Sequence, residues 1–356
     1  MKDECWLLSE RERRYNDYTR REHMQKLTIY DISQLAGVSI TTVSRVLNGN
    51  DSVNPVTRAK VEEIINQHGY VPKQKARNFT RMKSYTVALI LDDIRHAYMS
   101  ELAYAIIQQL SNWKVNAIVC NINDVEREFI DKIDALIHQR VNGIILMGSI
   151  FEKNICRVAI ERRYSEFPFV TVNANLALPN VCEVLQDHVQ GMVDAVRYLN
   201  QINRKKIAFI YLKKSNSDQR KMTGFIKGIE ECGLDASRIL QAETLSQEAG
   251  NKATCKLLIQ YPDVDAIIYS GERLAVGGVH ALNDLGIPIP EQIAIISFNN
   301  AHGATVCYPP LTSIDNKIAE SGKTAAQMMI NILNREKVEN VMLSCGWPAG
   351  SGPPGG

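Results

Sequence analysis

The chain of 356 residues has eight cysteines, and they stand singly at positions 5, 120, 156, 182, 232, 255, 307 and 345, with no Cys-x-x-Cys pair. That spacing gives neither a zinc site nor a disulfide framework and points to reduced, mostly buried thiols. No apolar run approaches the roughly 20 residues that a membrane-spanning helix needs. The N-terminus has no signal-peptide core either, because Arg11, Arg13, Arg14, Arg20 and Arg21 alternate with acids. The expectation is a cytoplasmic protein with no membrane partner. Catalytic signatures are also missing. No Gly-x-Ser-x-Gly elbow occurs, and Gly271, Gly277 and Gly278 have neither dinucleotide-fingerprint spacing nor the lysine of a phosphate loop. His96, His138, His188, His280 and His302 stand apart from Cys or Asp partners in sequence and read as solvated or core histidines. No metal, no cofactor and no enzyme chemistry is expected.

What is present is a globular composition, 45% hydrophobic, in a chain long enough for two or three domains. The formal net charge of +2 conceals an asymmetry: residues 24–84 carry nine Lys or Arg against four acids, and residues 85–356 carry 26 against 29. A small basic head on a mildly acidic body is the electrostatic footprint of a nucleic-acid-binding module, although a basic face also serves plain solvation.

Within the head, Leu27 to Tyr70 reads as three short helices round one small core. Thr28 is the expected N-cap of the first, with Asp31 as its capping-box acid; Ile32, Leu35 and Ala36 line one face and Gly37 ends the helix. Val38 lies in the turn, Ser39 caps the second helix, and Val43, Val46 and Leu47 form its buried stripe. Ile40, Thr41, Thr42, Ser44 and Arg45 then face outward. That face offers donors, acceptors and a surface for thymine methyls, which is what the major groove of DNA admits, and Arg45 is the natural guanine or phosphate contact. The third helix opens with Asn54 as cap and Pro55 at its first position, turns Val56, Val61, Ile64 and Ile65 inward, and stops at Gly69.

The runs Tyr30-Asp31-Ile32, Ala36-Gly37-Val38-Ser39 and Thr42-Val43-Ser44-Arg45-Val46-Leu47-Asn48 resemble the N-terminal signature of the lactose/galactose-repressor (LacI/GalR) family of bacterial transcription regulators. The likeness extends from Met24 to about Leu343. It adds Thr28, Ser39 and Asn48 to the residues expected at DNA. It also implies that residues 71–84, with Lys75, Ala76, Arg77 and Phe79, are a hinge that turns helical when two copies meet on a palindromic operator. Phe79 stands where the family usually has Leu as the minor-groove wedge. Phenylalanine is competent to wedge between base steps, but its bulk differs, so the preferred central step can differ too. A flexible basic linker is the alternative reading of that segment.

From Tyr85 the pattern becomes alternating buried strands and amphipathic helices. Strands are expected at 86–91, 116–120, 143–147, 169–172, 206–211, 265–269 and 293–297, each a near-continuous apolar run of the kind found in parallel strands covered on both faces. The fold class is α/β: a helix-turn-helix head (24–70) and hinge (71–84), then a core of two doubly wound subdomains. These are 85–185 with 314–343, the chain returning through a helix from Lys317 to Asn334, and 186–313. Ligands bind such folds at strand carboxyl ends, here in the cleft between subdomains.

The resemblance implies a periplasmic-binding-protein-like core that takes a small sugar effector. Lys221 stands where the family commonly has an effector-binding Arg, Asn299 and Asn173 stand at frequent Asp positions, and Gly271-Glu272 replaces a common Asn-Asp. Exchange of Arg for Lys loses the bidentate fork and loss of carboxylates weakens the grip on hydroxyls, so the pocket is expected to hold an unusual effector or none. Residues 1–23 read as an extension, most simply a misassigned start codon. Residues 344–356, rich in Gly and Pro, read as a flexible frameshift- or cloning-derived tail unable to form a closing strand. The expected function is a homodimeric repressor of a carbohydrate-utilisation operon. A regulator with a co-repressor (a purine or a phosphorylated partner protein) and a sugar-binding protein with a vestigial head are the alternatives.

Overall fold

The computed structural model describes residues 28–47, 53–67, 85–212 and 216–347. The chain forms two compact units, Met1–Lys83 and Ser84–Gly356.

In the first unit, α1 (Ile29–Ala36), α2 (Ile40–Leu47) and α3 (Pro55–Gln67) enclose Ile32, Ala36, Val43, Val46, Val53 and Val61. Local chemistry sets both ends of α1 and the starts of α2 and α3. The Thr28 amide and hydroxyl both donate to the Asp31 carboxylate, at 2.6 and 2.7 Å. Gly37 ends α1 in the left-handed conformation at φ 65°. Ser39 Oγ accepts the Thr42 amide at 3.1 Å, and Asn54 Oδ1 accepts the Val56 amide at 2.9 Å. Two expected core residues are corrected. Leu35 is 49% exposed because Ile32 and Ala36 already fill the inner face of a two-turn helix. Val56 is 79% exposed, since it lies about 140° round the helix from Val61. Val53, just ahead of the Asn54 cap, closes the core instead. Gly69, the expected stop of α3, lies outside the described residues.

The second unit runs β1 (Thr86–Leu91), α4 (Ala97–Asn112), β2 (Asn116–Asn121), α5 (Val125–His138), β3 (Gly143–Met147), a 3-10 turn at Ser149–Phe151, α6 (Asn154–Arg163), β4 (Phe169–Val172), β5 (Val181–Gln186) and α7 (His188–Gln201). It continues through β6 (Ile207–Tyr211), α8 (Asn216–Glu231), β7 (Ile239–Gln241), α9 (Gln247–Gln260), β8 (Ala266–Tyr269), α10 (Glu272–Asp284) and β9 (Ala294–Asn299). The last elements are α11 (His302–Val306), β10 (Thr312–Asp315), α12 (Ile318–Leu333) and β11 (Val341–Leu343). Two sheets result, ordered β11-β5-β4-β3-β1-β2 and β10-β9-β8-β6-β7. All pairings between these strands are parallel.

Each sheet is covered on both faces. Val87, Leu89 and Leu91 of β1 enter one layer, with α4 and α12, while Ala88 and Ile90 enter the other with α5 and α6. Ile207 and Phe209 of β6 divide in the same way from Ala208 and Ile210. The seven expected strands are all present, but β2 is an edge strand with Asn116, Val119 and Asn121 exposed and no residue fully buried, rather than a doubly covered one. Four strands were not anticipated. β7 and β11 are only three residues long, and β5 and β10 carry Glu183, Gln186, Thr312, Ser313 and Asp315, so none reads as an apolar run.

The end of the chain also corrects an expectation. Residues 344–347 are not a free tail, for they return to the second sheet. Gly346 bridges Asp315, Cys345 is 6% exposed with Sγ 3.4 Å from Asn316 Oδ1, and Trp347 packs edge-on against Tyr198 at 5.0 Å. A single Trp-Tyr contact and one bridge need no strand-forming run. Residues 348–356 and 1–23 lie outside the described residues.

Helices α9 and α10 approach so closely that a Cβ on Gly277 would lie 1.9 Å from the Gln247 carbonyl oxygen. A backbone atom cannot swing aside, so Gly277→Ala is expected to destabilise the chain by about 2–3 kcal/mol in urea unfolding. Wild-type stability in that variant would show that the two helices separate freely.

Candidate nucleic-acid interface and effector cleft

On α2, Ile40, Thr41 and Arg45 are exposed, and Thr42 and Ser44 are half-buried. Ser39 is exposed, but its hydroxyl is engaged with the Thr42 amide and, at 2.9 Å, with the Thr42 hydroxyl. Thr28 is likewise committed to Asp31. Ile40, Thr41 and Arg45 are therefore the side chains of this helix most available to a groove: one apolar surface, one hydroxyl and one guanidinium. Asn48, Lys75, Ala76, Arg77 and Phe79 lie outside the described residues.

In the core, both sheets reverse strand order, between β1 and β3 and between β6 and β8. The carboxyl ends at and next to these two reversals carry the candidate cleft residues: Ser149 and Glu152 after β3, Asn173 after β4, Ser270 to Glu272 after β8 and Asn299 at the end of β9. Doubly covered strands favour apolar side chains along their length, so polar groups gather at their ends, and most of these residues are held by a named partner.

Lys221, on the first half of α8, is 4% exposed. Its Nζ donates to the Ser270 carbonyl at 2.6 Å, lies 3.3 Å from Asp218 Oδ1 and sits 5.1 Å above the Phe298 ring. Asp218 Oδ2 in turn accepts from the Leu212 amide and the Ser270 hydroxyl, both at 2.9 Å. The lysine charge is thus spent within its own subdomain. Asn173, 7% exposed and in the left-handed region at φ 58°, accepts from Arg220 Nη2 at 3.0 Å. Asn299 Oδ1 accepts from Asn316 Nδ2 at 2.7 Å. Gly271 caps α10, and its carbonyl accepts the Ala275 amide at 3.2 Å.

Glu272 differs from these. It is 8% exposed and its Oε1 has no hydrogen-bond partner among the described residues. Burial pushes its carboxyl up to about 7, offset in part by the Ala304 amide and reinforced by Glu101.

Sequence reasoning missed five contributors: Arg220, Glu152, Ser149, Ser217 and His188. Arg220 donates to Glu152, and Ser149 Oγ receives the Ser217 amide at 3.3 Å. His188 is fully buried with Nδ1 3.3 Å from Ser217 Oγ, and its Nε2 has no hydrogen-bond partner among the described residues. Burial first, then Lys221 and Arg220, hold its pKa well below the ordinary histidine value, so the ring is neutral. Arg220 was adjacent to a residue already singled out; His188 carried no signal beyond following the Asp187 helix cap.

Residues 84–349 match the model of periplasmic binding proteins and the sugar-binding domain of the LacI family, and residues 28–73 match that of bacterial regulatory proteins of the lacI family. The chain belongs to the LacI family. Catabolite control protein A of Priestia megaterium is 31% identical over 319 residues, which cover 88% of this chain and 95% of that protein. An HTH-type transcriptional regulator of Lachnoclostridium phytofermentans is also 31% identical, over 318 residues with the same coverage. Among solved structures, the Lac repressor dimer bound to operator and the anti-inducer ONPF superposes with TM-score 0.77 at 21% identity, covering 90% of this chain and 97% of that one. The transcription regulator CcpA of Lactococcus lactis superposes with TM-score 0.67 at 25% identity, covering 75% and 98%. The chain is thus a LacI-family transcription regulator with a periplasmic-binding-protein-like core. Among its described residues no helix is long and apolar enough to cross a membrane.

The raised Glu272 carboxyl has a consequence for this LacI-family core. Between its ordinary value of 4.5 and about 7 the folded chain holds a proton that the unfolded chain has released, so stability falls as pH rises through that window. Glu272→Gln removes this dependence: its melting temperature relative to wild type is expected to be higher at pH 8 than at pH 5. A difference that does not change with pH would show that Glu272 ionises normally.

Proposed function

We propose that this LacI-family regulator is a cytoplasmic homodimeric repressor of a carbohydrate-utilisation operon, not an enzyme. Two heads read the halves of a palindromic operator, the hinges pair at its centre, and a small sugar in the cleft releases the complex. The observation that carries the reading is the pairing, in one chain, of an exposed Ile40-Thr41-Arg45 face on a capped short helix with a polar cleft at two facing strand-order reversals. The first supplies base-edge contacts and the second a place for a ligand. For release, the sugar must bind the non-binding arrangement more tightly than the operator-binding one. Neighbouring structures include a transcriptional regulator CelR-cellobiose complex, TM-score 0.66, and a family member with bound ribose, TM-score 0.66.

A second reading makes the ligand or partner a co-repressor. It is favoured by the internal commitment of Lys221, Asn173 and Asn299, which leaves fewer free polar atoms for a sugar than the cleft's composition suggests. The sign of the ligand effect separates the two.

Fluorescence anisotropy of the full chain on the palindrome nearest its own promoter, with and without a pooled sugar library, tests the proposal. Tight, salt-sensitive binding weakened by the pool is expected, and Arg45→Ala is expected to lose about 10- to 100-fold in operator affinity. Phe79→Ala should weaken binding as well if that residue is the wedge. Binding to the palindrome no tighter than to random DNA at matched salt would sink the repressor reading.

A further inference from the structure

We propose that Arg220 and Glu152 form a built-in latch that closes the core across the cleft using protein groups alone. Glu152 follows β3 in the first subdomain, and its side chain is 8% exposed. Its Oε1 accepts the Asn175 amide at 3.0 Å and Arg220 Nη1 at 2.8 Å; its Oε2 accepts Asn216 Nδ2 at 2.8 Å and the same Nη1 at 3.1 Å. Arg220 and Asn216 belong to α8 in the other subdomain. Arg220 then uses Nη2 for Asn173 Oδ1 at 3.0 Å, so one guanidinium grips two strand-end loops of the opposite sheet.

Exposed ion pairs contribute little, but this one has a buried carboxylate with every oxygen bonded and a guanidinium only 29% exposed. Opening the cleft would strip Glu152 of every partner but Asn175. Lys221 cannot replace Arg220, because its ammonium is held by the Ser270 carbonyl and Asp218. Closure is therefore the resting arrangement of the core. A small molecule entering at this edge must take over the Arg220 bonds to Glu152 and Asn173, so Arg220 sets the threshold for ligand control. The inference bears on the effector reading above without depending on it.

Two backbone amides report the closure. The Ser217 amide lies in the first turn of α8, where it has no helical acceptor, and it donates across the cleft to Ser149 Oγ at 3.3 Å. At the other edge the His302 amide donates to Glu101 Oε1 at 2.7 Å. Hydrogen exchange on the full chain, with no small molecule added, tests the latch. Wild-type protein is expected to protect both amides. Arg220→Gln should speed their exchange about tenfold or more while the interior amides of β1 and β8 keep wild-type rates. Glu152→Gln, which keeps the size and an acceptor for Asn175, should do the same and decides the matter should Arg220→Gln fail to fold. Unprotected Ser217 and His302 amides in wild type, or no change in the folded variants, would overturn the latch. So would acceleration spread equally over β1 and β8, which marks a contact that merely stabilises the fold. Failure to bind an operator would leave this difference in exchange standing.

Discussion

Parallel strands covered on both faces leave hydrogen-bonding side chains little room except at their ends, and the arrangement of the core follows from that constraint. In β1, β3 and β6 successive residues enter two apolar layers, so much of the chain's polar chemistry collects where the strands stop. Because the two sheets reverse order at β1/β3 and β6/β8, those ends meet over one cleft. The chain passes between the sheets after β5, after β10 and again after β11, where Cys345 and Trp347 settle into the second subdomain's core. Three crossings tie the subdomains together while leaving the cleft edges to side-chain contacts.

What fills the cleft is mostly the protein's own charge. Lys221 and Asp218 satisfy each other and the end of β8, and Arg220 and Glu152 satisfy each other across the gap. Glu272 Oε1 and His188 Nε2 are among the buried side-chain atoms that have no hydrogen-bond partner among the described residues; burial raises the carboxyl pKa to about 7, and burial with two neighbouring cations lowers that of the imidazole. In the head the same economy appears on a smaller scale: the polar atoms of Thr28 and Ser39 are committed to caps, and Ile40, Thr41 and Arg45 are left exposed on α2.

Legibility followed sequence distance. Thr28 with Asp31, Gly37, Ser39 and Asn54 were readable because a cap and its helix lie within four residues. The long apolar strands were readable because nearly every residue of β1, β3, β4, β6, β8 and β9 is buried. Leu35 and Val56 misled because hydrophobicity does not state which face a two-turn helix or a first turn presents. β5 and β10 were hidden by polar residues whose partners are far along the chain, such as Gln186 Nε2 bonded to Ser321 Oγ. Lys221, Asn173, Gly271, Glu272 and Asn299 were placed at the cleft by resemblance, yet their commitments within it were not foreseeable.

By itself the amino-acid sequence determined the head, the alternation of strands and helices, the absence of catalytic motifs and the family signature, because each is written in residues that are neighbours or repeat at a short period. Only the tertiary structure decided that residues 345–347 pack rather than trail, that Lys221 is spent on Ser270, and that Arg220 reaches a carboxylate 68 positions away. Such pairings depend on which strand ends the sheet order brings together, and sheet order is a property of the folded chain that no local pattern encodes.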